Sequence, residues 1–189
     1  MPKFLGYDLG RSAWHFGNAW WLLLTVLAVI LDQWTKSLAT THLVYAQPVP
    51  VMPMLNWTLL HNYGAAFSFL SDAGGWQRHF FTILAVVVSS IFTLWLLRLP
   101  KHTTVLAIGI ALILGGAIGN VIDRASLGYV VDFIHVYYNN SHFPAFNLAD
   151  SAITLGVILM IFDTFFLEKH RIQQQVAQAE RAAEAKDSV

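Results

Sequence analysis

Two stretches of this chain carry no charge at all: Phe80–Leu97, of 18 residues, and Thr103–Ile122, of 20. A backbone in hydrocarbon has no water to bond, so an apolar run of this length is read as a helix crossing a layer ~30 Å thick. The rest of the composition agrees. Only 12% of the 189 residues are charged, about half the share of a soluble globular domain. Apolar residues make up 56%, with 13 Phe, 7 Trp and 6 Tyr. A soluble globular domain is excluded, and the chain is expected to be an integral membrane protein, mainly α.

Two further spans have polar ends. Ala19–Leu31 is apolar, and Asp32 and Lys36 follow before the pattern ends near Leu38. Ser151–Phe162 is uncharged between Asp150 and Asp163. With those ends included, Ala19–Leu38 and Asn147–Leu167 are also membrane length. Four transmembrane helices follow, in a single domain over 19–168, with an N-terminal segment 1–18 and a tail 169–189. Asp32 and Lys36, directly after the apolar core, argue against the first span being a cleaved signal peptide. Four spans put both termini on one side. Eight of the eleven Lys and Arg residues fall on that side, which makes it the cytoplasmic one. The tail, rich in Ala, Gln and Glu, reads as a solvated helix or a frayed end.

The outer side then carries two loops, 39–79 and 123–146. The first contains Pro48, Pro50 and Pro53, then a strand-like Leu55–His61, a turn at Asn62-Tyr63-Gly64, and Ala65–Leu70, which can return as a second strand. Trp57, Phe67, Phe69 and Trp76 suit the bilayer interface. In the second loop, Tyr129–Tyr138 is rich in β-branched and aromatic residues. A small sheet resting on the membrane is expected.

Ionisable groups inside membrane helices are costly and point to function. Here they converge on one depth at one face: Asp32 and Lys36 at the end of span one, Asp123 and Arg124 at the end of span three, Asp132 in the loop after it, and Asp150 at the start of span four. Asn62, Asn120 and Asn147 stand at the same level. Each has a plainer role available. Asp32 and Lys36 are four apart and can pair along a helix. Asn147 can cap the helix that Asp150 begins. Asp123 and Arg124 can form a local ion pair. Gly115, Gly116 and Gly119 permit close helix packing. Asp163 near the inner end reads as an interface residue or a partner for a basic neighbour.

Other chemistries are poorly supplied. Net charge is zero, so no basic field invites nucleic acid. With no cysteine there are no disulfides, thiolate nucleophiles or Cys metal sites. The eight His residues show no metal-binding spacing and read as exposed or interfacial. No metal and no cofactor is expected. Two facing aspartates, by contrast, cannot both ionise cheaply and would hold one proton between them. Such a pair can activate water while polarising a carbonyl. A small proton-coupled transporter would use similar residues, although it would be expected to carry charges through the midplane and at both faces. A serine–lysine peptidase using Lys36 with Ser37 or Ser68 is a weaker rival, since Lys36 has a nearer use beside Asp32.

Five segments in order resemble the signature blocks of the bacterial lipoprotein signal peptidase family, signal peptidase II: Asp32-Gln33-Trp34-Thr35-Lys36, Asn62-Tyr63-Gly64-Ala65-Ala66-Phe67-Ser68, Gly115 through Arg124, Gly128-Tyr129-Val130-Val131-Asp132-Phe133, and Phe146 through Ser151. The resemblance implies an aspartic endopeptidase of the inner membrane that cuts diacylglyceryl-modified prolipoproteins just before the lipidated cysteine. It places the catalytic pair on Asp132 and Asp150. It puts Asn62, Gly64, Asn120, Arg124 and Asn147 against the substrate or an inhibitor of the globomycin type, and gives Asp32, Lys36 and Asp123 the task of holding the site together. It implies a small sheet as a cradle over the membrane, a short surface helix, contact with membrane lipids, and a monomer.

Overall fold

Four long helices and a small antiparallel sheet are set out in the computed structural model, which describes residues 3–4, 7–8, 16–64, 76–100, 103–168 and 171–173. Strands β1 (Lys3–Phe4) and β2 (Tyr7–Asp8) pair with each other near the start of the chain. A 3-10 turn at Phe16–Trp21 leads into α1 (Leu22–His42). Then come β3 (Val49–Met52), β4 (Leu55–Asn62), α2 (Trp76–Arg98), α3 (Thr104–Ser126), β5 (Val130–Tyr138), β6 (Ser141–His142) and α4 (Leu148–Phe162). One π-helical turn, Asp163–Leu167, continues α4. The segments Gly17–His42, Arg78–Arg98, Thr104–Ser126 and Leu148–Leu167 are each long and apolar enough to cross a membrane.

The bundle is inside-out relative to a soluble protein. On α1, Leu23, Val26, Leu27, Ile30 and Trp34 are exposed, a stripe at helical spacing that faces away from the protein. The buried residues of the same helix are Thr25, Asp32, Lys36 and Ala39. Helix α3 is the centre, packed on all three other helices. Its glycines allow this. A Cβ on Gly109 would come within 2.8 Å of the Gly156 carbonyl oxygen. On Gly119 a Cβ would strike the Asp32 carboxylate. At the end of the bundle away from the sheet, Trp95, Leu96, Leu99, Leu106, Ala107, Ile110 and Leu114 form the apolar core.

Helix α3 runs four residues past its charge-free stretch, through Asp123 and Arg124. Both charges are buried and have partners within the fold, so they do not end the helix. It ends where the Leu127 and Gly128 amides both turn back to the Asp123 carbonyl, at 2.7 and 3.3 Å. Gly128 there takes φ +89°, a left-handed conformation that suits a residue without Cβ.

The sheet has the order β3-β4-β5-β6. The strand expected at Leu55–His61 is β4, and its partner along the whole strand is β5. The return strand expected at Ala65–Leu70, Phe67, Phe69, the short surface helix and the tail from residue 174 lie outside the described residues. Pairing of β4 with β5 matches Trp57 with Ile134 and, further on, Leu60 with Asp132 and Asn62 with Val130, with a bulge between. That extra residue matters because strand faces alternate. Without it Asn62 would lie on the other face of the sheet from Asp132.

The histidines of the sheet sit among aromatic rings. His61 stacks on Tyr129 at 3.9 Å, and His135 lies beside His142 with ring nitrogens 3.1 Å apart. Burial lowers the pKa of His61, and burial plus the neighbouring His142 lowers that of His135. Asp163, at the far end, is buried and pairs with Arg171 through both carboxylate oxygens, the basic partner expected of it.

Candidate active site

Five elements deliver the polar residues to one place, with α1 supplying Asp32 and Lys36 and β4 supplying Asn62. Strand β5 carries Asp132, the first turn of α4 carries Asp150, and the last turns of α3 carry Asn120, Asp123 and Arg124. Asn147 is the cap of α4. Its side-chain oxygen accepts from the Asp150 amide at 2.9 Å, and Asp150 Oδ2 accepts from the Asn147 amide at 3.2 Å. This closed capping box fixes the Asp150 carboxylate at the start of the helix. The capping role that the sequence offered for Asn147 and Asp150 is therefore real, and it coexists with their place in the site.

Asparagines hold both carboxylates. Asp132 Oδ1 accepts from Asn147 Nδ2 at 2.7 Å, and Asp132 Oδ2 accepts from Asn62 Nδ2 at 3.1 Å. Asp150 Oδ1 accepts from Asn120 Nδ2 at 2.9 Å. Asp132 is 2% exposed. Its carboxyl is raised from 3.8 to about 7, first by burial and then by the charge of Asp150, against the opposing pull of the Asn62 and Asn147 bonds and of Lys36.

Behind the carboxylates lies a buried ion cluster. Lys36 Nζ contacts Asp32 Oδ2 at 2.8 Å, Asp123 Oδ2 at 2.9 Å and Asn120 Oδ1 at 3.0 Å. The three contacts use all three ammonium protons. Asp32 Oδ1 accepts from the Ala149 amide at 2.9 Å, and Asp123 Oδ2 accepts from the Val131 amide at 3.0 Å. The cluster thus grips the chain one residue before Asp150 and one residue before Asp132. Asp123 pairs with Lys36, not with the adjacent Arg124, because consecutive residues on a helix point in different directions. Gln33 joins the same cluster, with Nε2 donating to Asp123 Oδ1 at 2.8 Å and to the Gly119 carbonyl at 3.2 Å. The one sign of Gln33 in the sequence was its place in the first block.

Arg124 lies beside the carboxylates. Its guanidinium donates to the Gly64 carbonyl at 2.9 Å and lies over the Phe81 ring. Its Nε is buried without a hydrogen-bond partner among the described residues. The Gly64 amide in turn donates to Asn62 Oδ1 at 3.0 Å. Every residue expected at the site is thus brought to one cluster: Asp132, Asp150, Asn62, Gly64, Asn120, Arg124 and Asn147, with Asp32, Lys36 and Asp123 beneath. Phe81 was not expected there. Its only sequence signal was an aromatic ring near the start of a span.

A cleft of about 520 Å³ opens beside the carboxylates. Asn62 and Asp150 line its polar end, Phe143 and Phe146 one wall, and Ile153 and Ile158 of α4 its apolar floor. Among the described residues no group of three His, Asp or Glu side chains is placed to hold a metal ion.

Comparison with known proteins places the chain. Residues 24–166 match the model of the family described as signal peptidase (SPase) II. The chain is 74% identical over 154 residues to the lipoprotein signal peptidase of Acinetobacter baumannii (strain ATCC 17978), covering 82% of this chain and 88% of that one. It is 70% identical over 174 residues to that of Acinetobacter baylyi, covering 92% and 97%. It superposes on a solved bacterial membrane enzyme with a TM-score of 0.69 at 35% identity, over 78% of this chain and 90% of the other. These similarities support a multi-pass bacterial membrane peptidase and give a transporter no support. The chain belongs to the signal peptidase II family.

Proposed function

We propose that Asp132 and Asp150 are the catalytic pair with which this peptidase removes the signal peptide from diacylglyceryl-modified prolipoproteins, cutting just before the lipidated cysteine. The observation that carries this is the position of the pair. Two carboxylates, one buried and one at the wall of a cleft, accept four hydrogen bonds from asparagines, three from side-chain amides and one from the Asn147 backbone amide, where an apolar floor meets polar groups.

One carboxylate takes a proton from water while the other gives its proton to the scissile carbonyl. The tetrahedral intermediate then collapses with proton transfer to the leaving amine. Asn62, Gly64 and Asn147 border the path of the substrate backbone. Asn120 holds Asp150. The Nε–H of Arg124, which has no hydrogen-bond partner among the described residues, is a donor for a substrate carbonyl, since a buried donor without a partner is costly until something fills it. Asp32, Lys36 and Asp123 hold strand β5 and helix α4 at the distance the chemistry needs. An apolar cleft opening along α4 admits a substrate already anchored in the bilayer. The site lies at the outer face of the inner membrane, with both termini cytoplasmic, a placement supported by the distribution of Lys and Arg. Lipids bathe the bundle, the protein acts as a monomer, and inhibitors of the globomycin type occupy the same cleft.

The test is cleavage of a diacylglyceryl-prolipoprotein by the purified full chain in detergent, with the products read by mass spectrometry. The expected product begins at the lipidated cysteine, and the unlipidated precursor stays uncut. Equal cleavage of both precursors, or a cut elsewhere, would refute the assignment.

A further inference from the structure

We propose that the pair is asymmetric before substrate arrives, with Asp150 ionised and acting as the base, Asp132 protonated and acting as the acid, and Lys36, through Asn120, as the positioning residue that sets the difference. This deepens the function proposed above and rests on it for the chemical step.

The two carboxylates accept similar numbers of hydrogen bonds, so bond counting does not separate them. Three other features do. Asp132 is almost fully buried on a strand, whereas Asp150 reaches the wall of the cleft. Asp150 is in the first turn of α4, where the helix N-terminus favours an anion. The third feature is the chain of contacts behind Asp150. Lys36 Nζ donates to Asn120 Oδ1 at 3.0 Å, and Asn120 Nδ2 donates to Asp150 Oδ1 at 2.9 Å. An ammonium has no acceptor, so it fixes which end of the Asn120 amide faces it. The other end, the NH2, must then point at Asp150, and a donor so placed stabilises a carboxylate over a carboxylic acid. Asn147 Nδ2 adds a weaker bond to the same Asn120 oxygen at 3.3 Å.

Among the described residues, few charged groups act on the pair. Asp132 feels Asp150 and Lys36, and Asp150 feels Lys36 and Asp32. The charge of Arg124 is close to Asp150, Asp132 and Asp123. Asp32 and Asp123 are each bound to the Lys36 ammonium, so neither competes for the shared proton.

The proton balance closes on this assignment. Water attacks the carbonyl carbon, its proton passes to Asp150, and the carbonyl oxygen takes the proton of Asp132. In the collapse the C–N bond breaks, Asp150 returns its proton to the leaving nitrogen, and one hydroxyl proton goes back to Asp132 as the carbonyl reforms. The products are a carboxylic acid and a free amine, with the pair in its starting state.

The test is infrared difference spectroscopy of the full-length protein in detergent at pH 6, without substrate, following the C=O stretch of a protonated carboxyl. The wild type should show this band, Asp150→Asn should keep it, and Asp132→Asn should lose it. In an Asn120→Leu background the band should survive Asp132→Asn, because Asp150 has lost the donor that kept it ionised. Lys36→Met should have the same effect where it folds. Asn120→Leu leaves the Lys36–Asp32 and Lys36–Asp123 pairs in place, so it carries the test if Lys36→Met does not fold. With lipidated substrate, Asn120→Leu should lower kcat with little change in KM. A band lost in Asp150→Asn and kept in Asp132→Asn would overturn the proposal. So would the absence of a band in the wild type, or a band that Asn120→Leu does not redistribute. The spectra need no cleavage, so a failure of the peptidase assignment would show separately in the product assay.

Discussion

Asn147 Nδ2 donates to Asp132 Oδ1 at 2.7 Å while the same side chain caps the helix that begins with Asp150. One residue therefore ties the strand carboxylate to the helix carboxylate. The two tasks can be separated. Asn147→Ser keeps a capping hydroxyl but is too short to reach Asp132, whereas Asn147→Ala loses both. The alanine variant should lose about 1 kcal/mol from the missing cap in addition to activity. The serine variant should unfold near the wild-type temperature yet lose kcat by a factor on the order of 10², as for loss of one well-placed active-site donor. Thermal unfolding and turnover measured on both variants check this.

Asp132 also makes stability depend on pH. Its carboxyl is raised from 3.8 to about 7, so between these values the native state keeps a proton that the unfolded chain has lost. Stability from this group is complete below 3.8 and is lost as pH rises through about 7. Asp132→Asn should therefore flatten the decline in Tm between pH 5 and pH 8, and should raise Tm relative to wild type at pH 8. Thermal scans of both proteins across that range are the measurement. The rate should show the same group as an alkaline limb near 7, since an ionised Asp132 has no proton to give.

Gly119 is where α3 lies directly on the Asp32 carboxylate. Gly119→Ala places a methyl group on that carboxylate and forces apart the Asp32–Lys36 pair. Overpacking costs about 1–3 kcal/mol, and an uncompensated buried charge adds to it. Folded yield and Tm should both fall. Gly128→Ala, at a turn with φ +89°, should cost less, about 1 kcal/mol.

At the other end of the bundle, Asp163 is 1% exposed and paired with Arg171. Arg171→Ala leaves that carboxylate buried and unpaired, with an expected loss of about 3 kcal/mol. The double variant Asp163→Leu, Arg171→Met should recover most of it, since an apolar pair can replace a buried ion pair. Turnover should be unchanged in every variant that folds, because this pair is remote from the carboxylates of the cleft. A double-mutant cycle in Tm and kcat checks both statements.

Much of this was legible in the chain. Uninterrupted apolar runs identify α2 and α3 without ambiguity, because few other folds tolerate them. The ends of α1 and α3 were harder to place. Asp32, Lys36, Asp123 and Arg124 look like the edge of the membrane, and only a buried partner for each explains why the helices continue through them. The level of the site could be read from where polar residues recur. Its wiring could not. Whether Asp123 meets Arg124 or Lys36 depends on helix phase between two elements. Whether Asn62 faces Asp132 depends on one bulge in β4 that no residue type announces. Phe81 stacking on Arg124 and Gln33 bridging Asp32 and Asp123 are products of tertiary packing. The pairing of β4 with β5 was not legible for a similar reason: local alternation gives a strand its faces, and the partner comes from a segment 70 residues away in the Asn62–Asp132 contact.

The central claim is that Asp132 and Asp150 together perform the cleavage. Its most direct measurement is single-turnover cleavage of a diacylglyceryl-prolipoprotein by wild type, Asp132→Asn and Asp150→Asn, each shown by circular dichroism and size-exclusion chromatography to be folded. The account predicts that each substitution lowers the rate by at least about 10³-fold while the fold persists. A folded variant of either kind that cleaves at close to the wild-type rate would contradict it.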